Sequence, residues 1–396
     1  MNHPPGLPAP EAAARVVAPV PRFAARATPA MGKFTPIASR KPPIDSEGFV
    51  PWIRRNLFGG WQNTLVTLTV LALALYLIPQ LLNWGVAQAV FRANADACQA
   101  ARGTGACWGV IAEKWRLIIF GRYPFEQQWR PEIATIVMVL AVMLSCVRWF
   151  WKPWLALLWI VVLAVFFVLM GGGVFGLEPV RTDLWGGLPL TVMLATLSIF
   201  MAFPLSVLVA LGRRSELPAI RTACVIYIEL IRGVPLISVL FMASFMFPLF
   251  MPQGMTIDVL VRVLVGITLF AAAYMAEIVR GGLQAIPNGQ LEAADTLGLS
   301  YWQTQRKIVL PQALAMVVPS MMNNFISIFK DTSLVTIVSL YELTGALGLA
   351  MNSDVNWRPF KIEAYLFITA IYFSFCFAMS RYSLWVEKKL GESKNR

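Results

Sequence analysis

Residues 292–311 read EAADTLGLSYWQTQRKIVLP, a charged, glycine-containing stretch set between two strongly apolar runs. Asn288, just ahead of it, offers an N-cap for a short helix, and Glu292 then falls in the first turn, where the positive end of the helix dipole favours a carboxylate. Gly298 is placed to stop that helix as a C-cap glycine. Ser300 and Gln303 make a capping box for a second short helix, which Leu310-Pro311 closes before the next apolar run. The stretch therefore predicts a compact helix–turn–helix. Leu291, Ala294, Gly298, Tyr301 and Trp302 fall on one face at helical spacing, with small residues where another backbone can approach. Such a face wants a partner. An anchor resting on lipid headgroups is the plainer reading, but it would carry more Lys and Arg on its polar face.

The surrounding chain has 396 residues, is 58% hydrophobic and only 14% charged, against about 25% for a soluble domain. With a mean hydropathy of +0.64 it reads as an all-α polytopic membrane protein. A helix needs roughly 20 apolar residues to cross the hydrocarbon core. On that test the sequence predicts eight spans, near 61–82, 132–150, 154–172, 188–211, 222–250, 258–279, 312–330 and 363–385. Residues 1–56 differ in kind: they are rich in Pro, Ala and Arg, lack the apolar core of a secretory signal, and read as a disordered basic tail retained in the chain.

The net charge of +12 does not point to nucleic acid, because Lys and Arg cluster in short segments between apolar runs. Arg148 and Lys152, then Arg213, Arg214 and Arg221, then Arg280, Arg306 and Lys307, and finally Lys388 and Lys389 alternate in step with the basic tail. This pattern puts both termini and the quoted stretch in the cytoplasm, with loops 83–131, 173–187, 251–257 and 331–362 facing outward. The 83–131 loop carries six basic residues of its own, but long loops obey the rule poorly. A lone His3 and five cysteines leave no ligand set for a metal and no histidine for acid–base chemistry in the spans. No GxxxxGK[ST] loop is present to cradle ATP. Cys98 and Cys107 lie together in the long outward loop, where a disulfide and two free thiols are both open readings. Cys146, Cys224 and Cys376 fall in spans as packing residues.

Glu292, Ala293, Ala294, Gly298, Ile308, Leu310 and Pro311, at these spacings, resemble the complete EAA signature of ABC importer permeases. The resemblance implies that the loop is a coupling helix that docks into a groove on an ATP-binding subunit. GLPLTVMLATLSI (187–199), YIELIRGVPLI (227–237), the run through 272–298 and KDTSL (330–334) are similar to the polar amino acid permeases, and cover the last five spans. By overall likeness the chain resembles the M-type permease subunit of the general L-amino acid systems. That implies a type I importer core of five helices at 183–390, with its coupling loop at 288–311, behind three extra helices at 57–175.

ELIRG (229–233) recurs as EIVRG (277–281), so Glu229 with Arg232 and Glu277 with Arg280 place opposite charges three apart on a helix face. Intramembrane charges usually face a bundle interior, so these read as ion pairs of an inner gate or, equally, as static helix packing. Lys330 stands about 27 Å along its span at 1.5 Å per residue. It is suited to the carboxylate of an amino acid, with Asn324, Asn323 and Thr332 adding neutral polarity to the same cavity; snorkelling to the interface is the competing reading. Pro319 is a candidate hinge.

The function implied is the transmembrane permease subunit of an ATP-driven importer of L-amino acids in a bacterial inner membrane, with no catalytic residues or cofactor of its own. ATP and Mg would be bound by two ATP-binding subunits. The further partners implied are a second, different permease chain, a periplasmic amino acid binding protein and the lipid bilayer. An ion-coupled secondary transporter would call for midplane acids and paired broken helices in inverted halves, and would leave 292–311 unexplained. A membrane-embedded enzyme would need a clustered nucleophile or metal set in the spans.

Overall fold

The computed structural model describes residues 48–254 and 256–394; residues 1–47, most of the expected tail, lie outside the described residues. Two compact units divide the chain, residues 1–75 and 76–396. In the first, the tail ends sooner than the composition implied, because Phe49–Leu57 forms helix α1. Pro51 stands in its opening turn, where no N–H is required, and Arg54 and Arg55 close it at the negative end of the dipole. Helix α2 (Trp61–Leu82) starts in this unit and runs across its boundary; its early turn is fixed by the Thr67 hydroxyl, which donates to the Leu57 carbonyl at 2.8 Å.

Among the described residues there is no strand beyond isolated bridges. Six helices are long and apolar enough to cross a membrane, or seven if one bent pair counts as a span, against the eight expected. Two local causes explain the difference. The span expected at 132–150 is helix α5 (Trp129–Ser145), 17 residues long and so about 26 Å at the helical rise. Pro153 disfavours helical geometry in the residue before it and restarts the chain as α6 (Trp154–Gly171). The span expected at 222–250 is broken. Helix α8 (Pro218–Gly233) ends where Pro235, lacking an N–H, holds Val234 extended at φ −112°, ψ 135°, and α9 (Leu236–Phe241) leaves at a bend of 106°.

The centre of the second unit is α7 (Gly187–Arg213) packed along α10 (Val259–Gln284). Ser198, Ala202, Ser206 and Ala210 recur every fourth residue on α7 and are fully buried, and Ala272, Ala276 and Val279 answer them from α10. Small residues at that spacing let two backbones approach closely, which is how helices associate when no water drives them together. Helix α13 (Leu310–Asp331) crosses α10 at Gly282, where a Cβ would stand 2.6 Å from the Ala313 carbonyl oxygen. Helix α15 (Lys361–Lys394) also packs on α13.

The expected loops 83–131 and 331–362 are folded, and they fold on each other. Helices α3 (Ala95–Ala100), α4 (Gly109–Phe120) and α14 (Leu343–Asn352) share an apolar cluster of Val110, Ile118, Leu343, Leu347, Trp357 and Phe360. Cys98 and Cys107 are joined as a disulfide, and the Cys107 N–H donates to the Glu363 carboxylate at 3.0 Å. Lys114 reaches Asp354 at 3.2 Å, and the Asn356 N–H together with that ammonium holds the Asp354 carboxyl below the usual carboxylate range. Arg130, almost wholly buried, donates to the Leu169 and Glu178 carbonyls and so caps the end of α6.

One acid joins these parts. Glu342, with no exposed surface, is the N-cap of α14 and accepts from the Thr344 and Gly345 N–H groups at 2.9 and 3.0 Å. It also accepts from the hydroxyls of Thr336 at 3.2 Å, Thr191 of α7 at 3.3 Å and Tyr372 of α15 at 2.8 Å. Removing a buried acceptor strands all of its donors, each at about 1–3 kcal/mol. Glu342→Leu is expected to destabilise the purified chain by about 3 kcal/mol or more, read as a sharply lower thermal unfolding midpoint, with Glu342→Gln losing less because one amide oxygen still accepts; equal midpoints for the three forms would contradict the assignment.

Candidate functional site

The quoted stretch forms two helical pieces about a turn, with several departures from the sequence expectation. Helix α11 spans Asn288–Thr296, and Pro287, not Asn288, occupies the N-cap position. Proline's fixed φ and missing N–H make it the natural boundary, so Asn288 sits inside the helix with no capping bond and Glu292 falls in the second turn. At the other end, Gly298 adopts φ +67°; its N–H donates to Asp295 O and the Leu299 N–H to Ala294 O, the paired bonds of a Schellman motif. Ser300 and Gln303 make the capping box of α12 (Tyr301–Thr304). This helix does not close at Leu310-Pro311. A π-helical turn over Gln305–Val309 lets the Leu310 N–H donate to Gln305 O, and Pro311 then sits at the start of α13, where a missing donor costs little.

The expected single partner face also divides. Ala294 is fully buried and Leu291 and Leu310 pack with Leu283, Ile286, Val309 and Ala313 of the same chain. Glu292, Ala293, Gly298 and Pro311 are exposed, together with Leu297 at 76% and Trp302 at 66%. A left-handed residue reverses the chain, so helical periodicity does not carry across Gly298. The loop's ends are tied by Gln312, whose amide donates to Gln290 Oε1 at 2.7 Å.

The two Glu–Arg pairs read from the sequence behave differently. Glu277 and Arg280 pair on α10 as expected, with Arg280 Nε donating at 2.8 Å. Glu229 does not pair with Arg232, whose guanidinium lies 5.6 Å over the Tyr274 ring. Arg213, in the last turn of α7, takes both acids: Nη1 reaches Glu277 at 3.0 Å and Nη2 reaches Glu229 at 3.1 Å. A forked guanidinium suits that bridging role better than an ammonium. Its neighbour Arg214 donates to the Leu283 carbonyl at 2.9 Å, so this cluster of α7, α8 and α10 lies at the end of the helices that leads into α11.

Lys330 and Asn323 are exposed, and with Ser320 and Ser327 they form a stripe at helical spacing along α13. Lys330 makes no hydrogen bond or ion pair among the described residues. Asn324 is half-buried, and its Oδ1 is enclosed without a partner. Thr332 does not line the same surface: it is fully buried and its hydroxyl donates to the Phe329 carbonyl at 2.8 Å. Phe329 in turn packs on Tyr372 and Phe375 of α15, which fixes the turn that carries Lys330. The sequence reading missed Ser320, Ser327 and Arg213. The serines were legible as polar residues recurring three and four apart in an apolar run. In the sequence Arg213 carries only an orientation signal, because its two acids lie on other helices.

Comparison with known proteins bears on this arrangement. Residues 202–392 match the family described as the binding-protein-dependent transport system inner membrane component. The chain is 45% identical over 351 residues to YhdY, an inner membrane amino-acid ABC transporter permease protein of Escherichia coli K12, a match covering 87% of this chain and 93% of that one. It is 34% identical over 419 residues to BztC, the glutamate/glutamine/aspartate/asparagine transport system permease protein of Rhodobacter capsulatus, covering 89% and 96%. Among solved structures, an amino acid ABC transporter crystallised with histidines matches at 31% identity over 51% of this chain and 92% of its own, with a TM-score of 0.45.

If Arg213 ties α8 to α10, Arg213→Gln is expected to raise amide hydrogen exchange in both Pro218–Gly233 and the last turns of α10 by about tenfold, the factor for one charge-assisted bond. Arg280→Gln should loosen α10 alone. Unchanged exchange in α8 on loss of Arg213 would contradict the bridge.

Proposed function

The chain belongs to the binding-protein-dependent transport system inner membrane components, and from that premise we propose that it is the transmembrane permease subunit of an ATP-driven importer of L-amino acids. The observation that carries this reading is the polar stripe Ser320, Asn323, Ser327 and Lys330 on an exposed face of a helix long enough to span. A lysine and three polar side chains do not face hydrocarbon without a large cost, so the stripe belongs against water or another polar surface. We assign it to the translocation path. The Lys330 ammonium meets the substrate carboxylate, while the neutral Asn323 on the exposed stripe accepts from the substrate ammonium without demanding a charged side chain, and Asn324, with its Oδ1 enclosed, stands behind it. We assign the other wall to a second permease subunit, a different homologous chain.

The coupling follows from the same helix. From Tyr301 to Asp331 the backbone is one helical run, α12, the π turn and α13, about 45 Å long at the helical rise. A push on the exposed loop about Gly298 is therefore delivered along one continuous helical run, with Pro319 as its bending point, to the stripe. Two ATP-binding subunits, which hold ATP and Mg, supply that push on the cytoplasmic side, where both termini lie. Arg213, Glu229, Glu277 and Arg280 hold the inner ends of α7, α8 and α10 together in one of the two states. A periplasmic binding protein delivers the amino acid to the opposite side.

Uptake by the whole complex in proteoliposomes tests both halves. A side chain at Gly298 or Gly289 meets nothing of the described residues within 4 Å, but any L residue at Gly298 is strained by its φ of +67°, so Gly298→Ala, which carries that strain with the smallest side chain, is the control for a clash with a partner. Gly298→Asp is expected to abolish uptake and the stimulation of ATP hydrolysis by substrate while assembly persists, with Gly298→Ala retaining most of both and Gly289→Asp, inside α11, as a second substitution into open space. Lys330→Gln should raise the KM for uptake by about tenfold or more and leave unstimulated ATP hydrolysis unchanged. Normal coupling in Gly298→Asp would remove the docking assignment, and a normal KM in Lys330→Gln the substrate assignment.

A further inference from the structure

Beside the start of α5 lies a cavity of about 350 Å³ that the transport reading does not use. Trp115 and Arg116 of α4, Phe125 and Glu126 of the following turn, and Trp129 and Glu132 of α5 line it. Its depth is set by Tyr123, whose hydroxyl donates to the Leu169 and Met170 carbonyls at the end of the α6 span. Trp129 is the first residue of α5. The cavity is thus level with the end of the α6 span, the zone where tryptophan gathers and lipid phosphates lie. Trp115, Trp129 and Phe125 are 44%, 48% and 59% exposed around its rim.

Its charges are arranged rather than scattered. Arg116 is half-buried, its Nε donating to Gln128 Oε1 at 2.7 Å and its Nη2 to the Phe125 carbonyl at 3.2 Å, with the guanidinium 3.5 Å above the Phe125 ring. Gln128 is itself buried, so the guanidinium is held in place, and Nη1 is left without a partner among the described residues. Glu126 and Glu132 are exposed on the same wall and form no ion pair among the described residues. One fixed cation with a free donor, two unpaired carboxylates and an aromatic rim at lipid-phosphate depth form a site of mixed charge.

We propose that this cavity binds the headgroup of a zwitterionic phospholipid bearing a primary ammonium, a phosphoethanolamine group. The phosphate takes the free Arg116 donors, the ammonium donates to Glu126 and Glu132, and the upper acyl chains lie along Trp115 and Trp129. A choline headgroup has no N–H to give the carboxylates, and a glycerol headgroup has no cation for them. The site lies on the chain's own residues and is independent of which face of the membrane is outward.

Native mass spectrometry of the purified full complex, released from nanodiscs holding equal phosphatidylethanolamine, phosphatidylglycerol and phosphatidylcholine, reads this directly. One phosphatidylethanolamine is expected to persist at collision energies that strip the other two. Glu132→Gln and Arg116→Ala should each cut that retention about tenfold, the effect of one charge-assisted bond, with Arg116→Lys recovering part of it and the thermal midpoint of Glu132→Gln, whose carboxylate has no partner among the described residues, unchanged. Equal retention of the three lipids, which marks ordinary boundary lipid, would overturn the proposal. So would retention unaffected by the variants, or a cavity free of lipid in every mixture and shielded from solvent only when a soluble partner protein binds.

Discussion

A fully buried carboxylate in a membrane domain is the constraint on which the rest of this structure hangs. Glu342 has five donors around it, from α7, α14, α15 and the turn after α13, and each of those elements is fixed relative to the others because the acid needs them all. Stripped of its donors such a group would be costly in so apolar a place. Gly187 belongs to the same junction: its N–H donates to the Tyr341 carbonyl at 2.9 Å, and at φ +63° a Cβ would lie 1.9 Å from Ile119 O. The junction sets where α13 ends, and hence where Lys330 stands. It also seats the folded loops, with their disulfide, against the helices.

From that fixed point the other end of α13 is free to act as a lever. Its far end is held by Phe329 against Tyr372 and Phe375, and its near end continues unbroken into the loop about Gly298. The π turn at Gln305–Val309 and Pro319 inside α13 are irregularities between them, the π turn placed where Pro311 would otherwise leave a helical carbonyl unmatched. Close packing at Gly282 couples the lever to α10, and Arg213 couples α10 to α7 and α8. A chain of rigid contacts with an ionic clasp at one end is suited to two discrete arrangements, which is what a permease subunit requires.

Much of this was legible in the sequence, and the failures have physical causes. The all-helical membrane class, the capping box at Ser300 and Gln303 and the glycine stop at Gly298 all follow from local rules, because caps and apolar length are properties of neighbours in the chain. The 106° break at Val234 was carried by Pro235 and Gly233 in plain view, yet apolar length alone ran a span through it. Closeness to Lys330 in sequence suggests a cavity role for Thr332, but two residues along a helix turn a side chain about 200°, and it faces inward. Arg213 and Glu342 act across helices, so no local rule finds their partners. The pairing of loops 83–131 and 331–362 is of the same kind: two segments more than 200 residues apart in the sequence share one apolar cluster.

The central claim is that the exposed loop about Gly298 engages an ATP-binding subunit and drives α13. Leu297 is its most exposed apolar side chain, so a photoreactive residue there, Leu297→p-benzoylphenylalanine, irradiated in membranes holding the assembled complex, reads the contact itself. The account predicts an adduct with an ATP-binding subunit, identified by peptide mapping, whose yield changes when ATP is bound. Adducts with lipid alone, while the same residue introduced at a site inside the complex still captures its neighbour, would contradict it.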